Sequence, residues 1–399
     1  MKKRLIGLAM AGVMMAASLA GCGENTASTE TGSTSAESAE GAVWKIGGIG
    51  PTTGGAAIYG SDVRDAITIA VDEINAEGGI NGYQISYKFE DDEHNAEKSV
   101  NAYNTLKDWG MQMLVGCVTS DPTIAVGEKT NEDNMFMLTP SGTAVACVQY
   151  PNAFRVCFSD PNQGAASADY LANDAELSGS AIAIIYDSST QYSAGIHDSF
   201  VAEANAKGLN IVSDSAFTTD SATDFTVQIQ AAKDAGADLI FLPIYYLEAS
   251  LILTQANNMG YAPTFFGCDG MDGILTLENF DTSLAEGLLL LTPFSANDTD
   301  DLTVNFVTKF QEMTGHVPNQ FGADAYDAVY AIKQIAEAEN LTPDMSISDI
   351  CEGMKTGITT ITFSPALTSG TGITWTADGE PDKEPRAVVI VNGEYVMTE

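Results

Sequence analysis

Short apolar runs alternate with amphipathic stretches along most of this chain, and the two periods separate cleanly. Residues 45–49, Lys45-Ile46-Gly47-Gly48-Ile49, read as a strand. Over 61–76, Val63, Ala66, Ile67, Ala70 and Ile74 recur at helical spacing, and Glu77-Gly78-Gly79 stops the helix. Ile85, Tyr87 and Phe89 then alternate with polar residues, as in a half-buried strand. A helix is predicted over 95–109. Further strands are predicted at 111–117, 135–138, 181–186, 210–213, 239–243, 264–267 and 287–292, mostly separated by helical segments. Such alternation predicts an α/β fold with parallel sheets covered by helices on both faces. A body of this length is enough for two such lobes. The end of the chain differs. Residues 372–375, a turn at Asp378-Gly379, and runs at 387–391 and 395–396 predict a small antiparallel appendage.

The first forty residues follow another pattern. Lys2, Lys3 and Arg4 precede an apolar run over 5–19 that closes on Leu19-Ala20-Gly21-Cys22. A basic start, a short apolar core and small residues before a cleavage point make a secretory signal. The run is short for a membrane-spanning helix, and no second long apolar run follows. Residues 23–42 hold Ser, Thr, Glu, Gly, Ala and one Asn until Ala42, with no aromatic or large aliphatic side chain. Such a segment cannot bury enough apolar surface to offset its ordering entropy, and it reads as a disordered tether.

Charge narrows the function. The chain has 54 acidic against 17 basic side chains, a net charge of −37. That excludes nucleic acid as a partner, since phosphates are held by Lys and Arg. It also argues against charge-driven binding to anionic lipid. Beyond Cys22 there are five cysteines, Cys117, Cys147, Cys157, Cys268 and Cys351, an odd number without a Cys-x-x-Cys pair. At least one is therefore unpaired within the chain, and no zinc motif is present. Cys147 and Cys157 are near enough in sequence to pair, which spacing alone does not decide. The glycines of Gly48-Ile49-Gly50-Pro51-Thr52-Thr53-Gly54 have neither the spacing nor the Lys of a phosphate loop. Asp91-Asp92-Glu93 reads as a solvated loop, and His94, His197 and His316 are scattered. Arg155, in an extended apolar run, reads as a structural partner.

In open parallel sheets, ligands bind beyond the carboxyl ends of the strands. The residues there are Thr119-Ser120-Asp121-Pro122, Pro140-Ser141-Gly142-Thr143, the 187–192 segment, Tyr245-Tyr246 and Cys268-Asp269-Gly270. Ser120 and Thr143 would place hydroxyls and free N–H groups at helix starts, which favours an anion. Asp269 would present a carboxylate from another strand end. Hydroxyls and a helix dipole on one side, with a carboxylate on the other, suit a zwitterion. Charge-assisted bonds worth about 1.5–3 kcal/mol each would orient a small amino acid. Tyrosines would line an apolar pocket for its side chain.

Several stretches together carry a family resemblance. They are Ile49-Gly50-Pro51 through Tyr59-Gly60, Asp72-Glu73-Ile74-Asn75 with Gly78-Gly79-Ile80-Asn81-Gly82, and Glu90-Asp91-Asp92. Gly116 through Ser120, Pro140 through Thr143, Phe154 through Asp160 with Gln163-Gly164, Asp269-Gly270 and Asp324 through Ala328 complete the set. From Lys45 to Val396 the chain resembles the extracellular solute-binding lipoproteins of ABC importers for branched-chain amino acids, the leucine/isoleucine/valine-binding type. The resemblance implies two Rossmann-like lobes joined by a three-crossover hinge, the type I periplasmic binding fold. It implies Cys22 as the lipidated first residue of a mature protein, after a signal peptide over 1–21 and before a tether over 22–42. An N-terminal lobe over 43–160 and 293–371 and a C-terminal lobe over 161–292 and 372–399 follow, with crossings near Asp160, Pro293 and Thr371.

The resemblance also assigns roles. Ser120 and Thr143 fall where the family binds the ligand carboxylate, Ser141 where a main-chain carbonyl takes the ammonium, and Asp269 at the acidic ammonium ligand. Tyr59, Tyr192 and Tyr245 fall at aromatic positions around the ligand. Met271 stands where many relatives have Trp, and Asp121-Pro122 replaces a run of small residues. The expected partners are an amino acid, most of all Leu, Ile or Val, and a membrane permease. The expected protein is a monomer on the outer face of a membrane or in the periplasm, without cofactor, metal or catalytic residue. The residues leave open a ligand-sensing subunit and a binder of amides, urea or aromatic acids. An extracellular amidase would need a nucleophile and base set, and none is visible.

Overall fold

The computed structural model describes residues 41–398. The signal segment, Cys22 and nearly all of the tether lie outside the described residues. The body holds two sheets. The first contains β1 (Trp44–Gly50), β2 (Ile85–Asp91), β3 (Met113–Gly116), β4 (Phe136–Thr139) and β5 (Ala153–Arg155). Its order is β2-β1-β3-β4-β5, and every pairing is parallel. The second contains β6 (Ala181–Asp187), β7 (Asn210–Phe217), β8 (Leu239–Leu242), β9 (Thr264–Gly267), β10 (Leu289–Thr292), β11 (Arg386–Val391) and β12 (Glu394–Met397). Its order is β12-β11-β10-β9-β8-β6-β7.

The helices are α1 (Ala57–Ala76), α2 (Ala96–Trp109), α3 (Ser120–Glu132), α4 (Asp160–Asn173) and α5 (Gln191–Lys207), followed by α6 (Thr226–Asp234) and α7 (Tyr246–Asn258). Then come α8 (Asp301–Thr314), α9 (Gln320–Ala338) and α10 (Ile347–Ile358). Helices α8 to α10 return to the first sheet: α9 and α8 pack on α1, and α10 lies on β4. Helix α2 shows why such segments fold locally. The Asn95 side chain caps it by accepting from the N–H groups of Glu97 and Lys98, and Gly110 ends it at φ 91°. The buried stripe Val63, Ala66, Ile67, Ala70 and Ile74 faces the core, as its spacing requires.

Several expectations need correction. Helix α1 begins at Ala57 rather than residue 61, because Ala56, Tyr59 and Gly60 are buried beside the loop after β1. The close of the chain is no separate appendage. Strand β11 pairs antiparallel with β10, so the β11–β12 hairpin is the edge of the second sheet. Residues 372–375 make only isolated bridges, Ile373 with Phe363 and Trp375 with Pro381. Strand β7 also runs on to Phe217, past its exposed polar positions, because it pairs with β6 over that whole length. All five cysteines of the body are free and buried, so Cys147 and Cys157 do not pair.

Where the chain passes between lobes, buried polar groups bind the segments together. The Lys383 ammonium, 6% exposed, donates to Asp324 of α9 and to the carbonyl of Val156 at 3.1 Å. Asp327 accepts from the N–H groups of Leu367 and Thr368 at 2.9 and 3.0 Å. The Trp375 indole donates to the Arg155 carbonyl at 2.7 Å. Each of these groups is desolvated, and apart from Asp324 Oδ2, which has no partner, each is satisfied only while the segments stay together. Lys383→Ala should therefore leave Asp324 buried and uncompensated and destabilise the body by about 3–5 kcal/mol in urea unfolding. An unchanged midpoint would show that the pair holds nothing.

Candidate ligand-binding site

In each sheet the order reverses beside its first strand: β1 lies between β2 and β3, and β6 between β7 and β8. Crevices form at such points beyond the strand ends. The two crevices face each other. The first lobe contributes Tyr59 from α1, Val118 and Thr119 after β3, Ser141 after β4, and Phe321 from α9. The second contributes Tyr192 from α5, Tyr245 after β8 and Asp269 after β9.

These side chains hold one another. The Tyr192 hydroxyl donates to Asp269 Oδ1 at 2.7 Å and accepts from the Gly270 N–H at 3.0 Å. The Tyr59 hydroxyl donates to the Gly270 carbonyl across the cleft at 2.5 Å and accepts from the Tyr246 N–H at 3.2 Å. Tyr245 stacks on Tyr192 with ring centroids 4.5 Å apart. Phe321 meets Tyr59 edge to face at 4.8 Å. The cavity is only about 10 Å³. An amino acid would fit only after the lobes part or Tyr245 swings aside.

Ser120 and Thr143 sit one layer behind this cavity. The Ser120 hydroxyl accepts from the Ala144 N–H at 3.2 Å. The Thr143 hydroxyl is buried near the Asp160 carboxylate without closing a well-formed hydrogen bond, and both Asp160 oxygens are likewise unpartnered. The Ser141 hydroxyl is engaged with the Val118 carbonyl at 2.7 Å. Arg155 fixes this loop. Its buried guanidinium donates to the carbonyls of Gly142, Thr143 and Ala144 at 2.9, 2.5 and 3.1 Å, and lies 3.1 Å from Glu380.

A sequence model of periplasmic binding proteins matches residues 43–390. The chain belongs to the periplasmic binding protein family. It is 29% identical over 329 residues to the Leu/Ile/Val-binding protein homolog 3 of Brucella melitensis, a match covering 80% of this chain and 86% of that one. Among solved structures it is similar to a leucine-binding protein, LivK, of Thermotoga maritima. That match has a TM-score of 0.79 and 25% identity, and covers 90% of this chain and 98% of the other. The branched-chain amino acid transporter substrate-binding protein LivJ of Streptococcus pneumoniae, solved with isoleucine, has the same TM-score and identity. There the match covers 89% of this chain and all of the other.

Within this periplasmic binding protein, two further residues bear on the cavity. His94 lies just beyond β2, and its Nδ1 is 2.8 Å from the Thr119 hydroxyl. Its ring meets Tyr245 edge to face at 5.4 Å. It occupies a strand end, so the rule that picks out Ser141 and Asp269 also applies to it. Phe321 follows no strand; only the packing of α9 against α1 brings it to Tyr59. Met271 is fully buried against Gly267 and does not line the cavity.

Burial pushes Asp269 up to about 7, despite the Tyr192 hydroxyl that favours its carboxylate. Burial likewise raises Asp92 and Glu248 to about 7, and Asp272 and Asp327 to about 6. Between the ordinary carboxylate range and these values the folded protein holds protons that the unfolded chain has lost. Their stabilisation is complete at low pH and disappears as pH rises through about 6 to 7. His94, lowered mainly by burial, works in the opposite sense but is a single group. The thermal midpoint of the protein without ligand should thus rise by about 2 °C or more from pH 8 to pH 6. A midpoint that falls over this interval would contradict the assignment of these buried carboxyls.

Proposed function

We propose that the chain captures an aliphatic L-amino acid, a branched-chain one foremost, between its lobes and presents it to an ABC importer in the membrane. One observation carries the reading. The cavity between the lobes has a single charged lining residue, the Asp269 carboxylate, opposite the start of α3 and among three tyrosines and a phenylalanine. A lone buried carboxylate asks for an ammonium, and a helix start asks for an anion. Leu/Ile/Val-binding relatives and the isoleucine-bound LivJ support the same class.

In this reading Asp269 takes the ammonium together with the Ser141 carbonyl. The carboxylate turns towards the start of α3, where Thr119 lines the cavity, and Ser120 and Thr143, one layer behind, reach it once the wall opens with the lobes. Tyr59, Tyr192, Tyr245 and Phe321 surround the side chain. The lobes, 43–160 with 293–371 and 161–292 with 372–399, open and close about the crossings near Asp160, Pro293 and Thr371. The ligand selects the closed arrangement by binding it better. The role requires no catalytic step. Cys22 carries the lipid that keeps a monomeric protein at the outer membrane face, with residues 23–42 as its leash. Replacing Cys22 with Ala should release the protein from washed membranes into the medium, measured by immunoblot of the two fractions.

The decisive experiment is a thermal-shift screen of the body, stripped of co-purified ligand, against amino acids, amides, sugars and aromatic acids. A ligand at a hundred times its dissociation constant adds about 2.7 kcal/mol. Leucine, isoleucine or valine should raise the midpoint; a shift with only a neutral amide or an aromatic acid would overturn the zwitterion reading. Asp269→Ala and Thr143→Ala should each weaken binding about tenfold or more by calorimetry. Unchanged affinity in both would remove them from the site. Since an ammonium needs the ionised form of Asp269, affinity should also fall as pH drops below about 7, towards tenfold per pH unit.

A further inference from the structure

Beside the first cavity, across α1, the turn after β9 and the start of α9, lies a second and larger one of about 210 Å³. Both lobes line it. Its walls are mainly apolar, with Leu275, Leu290, Phe294 and Val317. Its charged lining residues are all acidic, Asp62 and Asp272 inside and Glu394 at the exposed rim, with no Lys or Arg; Thr276, Thr292, Ser295, Asn297, Asn319 and Tyr395 are neutral. Asp62 and Asp272 are 2% and 7% exposed. Each already accepts a backbone N–H from the start of α9, Asp62 from Asn319 at 2.9 Å and Asp272 from Gln320 at 2.8 Å. The half-exposed His316 ring lies with its Nε2 3.5 Å from Asp62 Oδ1, and Arg64, two residues along α1, opposes in part the upward push of burial on Asp62. Asn319, 4% exposed, caps α9 through its side-chain oxygen, which accepts from Gly322. Its Nδ2 is left as a buried donor without a partner at the cavity wall. The cavity thus combines an apolar body, two buried carboxylates and one orphaned donor.

We propose that this cavity is a second ligand site, which takes a small apolar molecule carrying an ammonium and a neighbouring oxygen acceptor. The ammonium meets Asp62 and Asp272, and the oxygen accepts from Asn319 Nδ2. Burial holds both carboxyls above their ordinary range, a cost that an arriving cation relieves. The site reports to the first cavity through shared elements. Tyr59 and Asp62 are one turn apart on α1, Asp269 and Asp272 share the turn after β9, and Phe321 and Asn319 open α9. In each pair one residue lines one cavity and its neighbour lines the other. A ligand here touches both lobes, so it stabilises their closed arrangement and strengthens amino-acid binding, and the coupling is reciprocal.

The test uses 2-amino-1-phenylethanol as probe. Two analogues, 1-phenylethanol without the ammonium and 2-phenylethylamine without the hydroxyl, serve as controls. At millimolar concentration the probe should raise the thermal midpoint of the wild type, the hydroxyl-free amine should raise it less, and the alcohol should leave it unchanged. Asp269→Ala should keep the response. Asp62→Asn should lose it while keeping leucine binding, and Ala296→Phe, which fills the half-buried wall, should lose it too. Saturating probe should lower the leucine dissociation constant about threefold or more. No shift in the wild type overturns the proposal, as does a shift lost in Asp269→Ala and retained in Asp62→Asn. The probe shift is read without any amino acid, so it stands or falls separately from the transport reading.

Discussion

A buried guanidinium needs partners, and those that Arg155 finds for all but its unpaired Nε–H shape the first lobe's half of the cleft. It stands at the end of β5 with no exposed surface and spends its donors on three successive carbonyls of the 142–144 loop and on Glu380. The loop is fixed from its other side as well, with the Gly142 N–H donating to Thr139 Oγ1 at 2.8 Å and the Ala144 N–H to Ser120 Oγ at 3.2 Å. Arg155 also belongs to a crossing: its own N–H donates to the Gly379 carbonyl at 3.1 Å, and its own carbonyl accepts from Trp375. One residue therefore ties the shape of the 142–144 loop to the segments that pass between the lobes.

The second lobe supplies what the first lacks. Asp269 is held by Tyr192, and its own N–H donates to Gln163 at 3.1 Å, so its carboxylate is aimed before any ligand arrives. Such preorganisation lowers the ordering cost of binding. The same burial lifts Asp269 to about 7, near neutrality, so an ammonium arriving at this carboxyl would compete with a proton. Acidity elsewhere on the chain is mostly a surface property, whereas these few buried carboxyls respond to pH and to charge in a ligand.

How much of this is legible in the sequence depends on whether local pattern or long-range packing places a residue. The strands β1, β2, β6 and β9, and the strand-end positions of Ser141, Tyr192, Tyr245 and Asp269, follow from periodicity and the switch-point rule. Phe321 does not, because it reaches the cavity only through the packing of α9 on α1, far away along the chain. The β11–β12 hairpin is visible as a hairpin, but nothing local says that β10 will accept it as an edge. Likewise the free N–H groups inferred at Ser120 and Thr143 are local deductions. That their hydroxyls sit behind the cavity wall depends on the Arg155-held loop, which has no periodic signature.

Closure itself rests on several weak interactions. Across the cleft beside the cavity the lobes share the Tyr59 bond to Gly270, the Tyr246 N–H to Tyr59, and the Ile58 N–H to the Tyr246 hydroxyl at 3.3 Å. Neutral hydrogen bonds of this kind contribute about 1 kcal/mol each once the water they replace is counted. Rings in contact such as Tyr59 and Tyr245 add about as much again. A few kcal/mol in total is comparable to what one zwitterion gains from its charge-assisted bonds in the same space. A ligand that must displace part of this tyrosine cluster would thus act on the balance between open and closed lobes at the cleft, while the buried Lys383–Asp324 pair holds the crossings together.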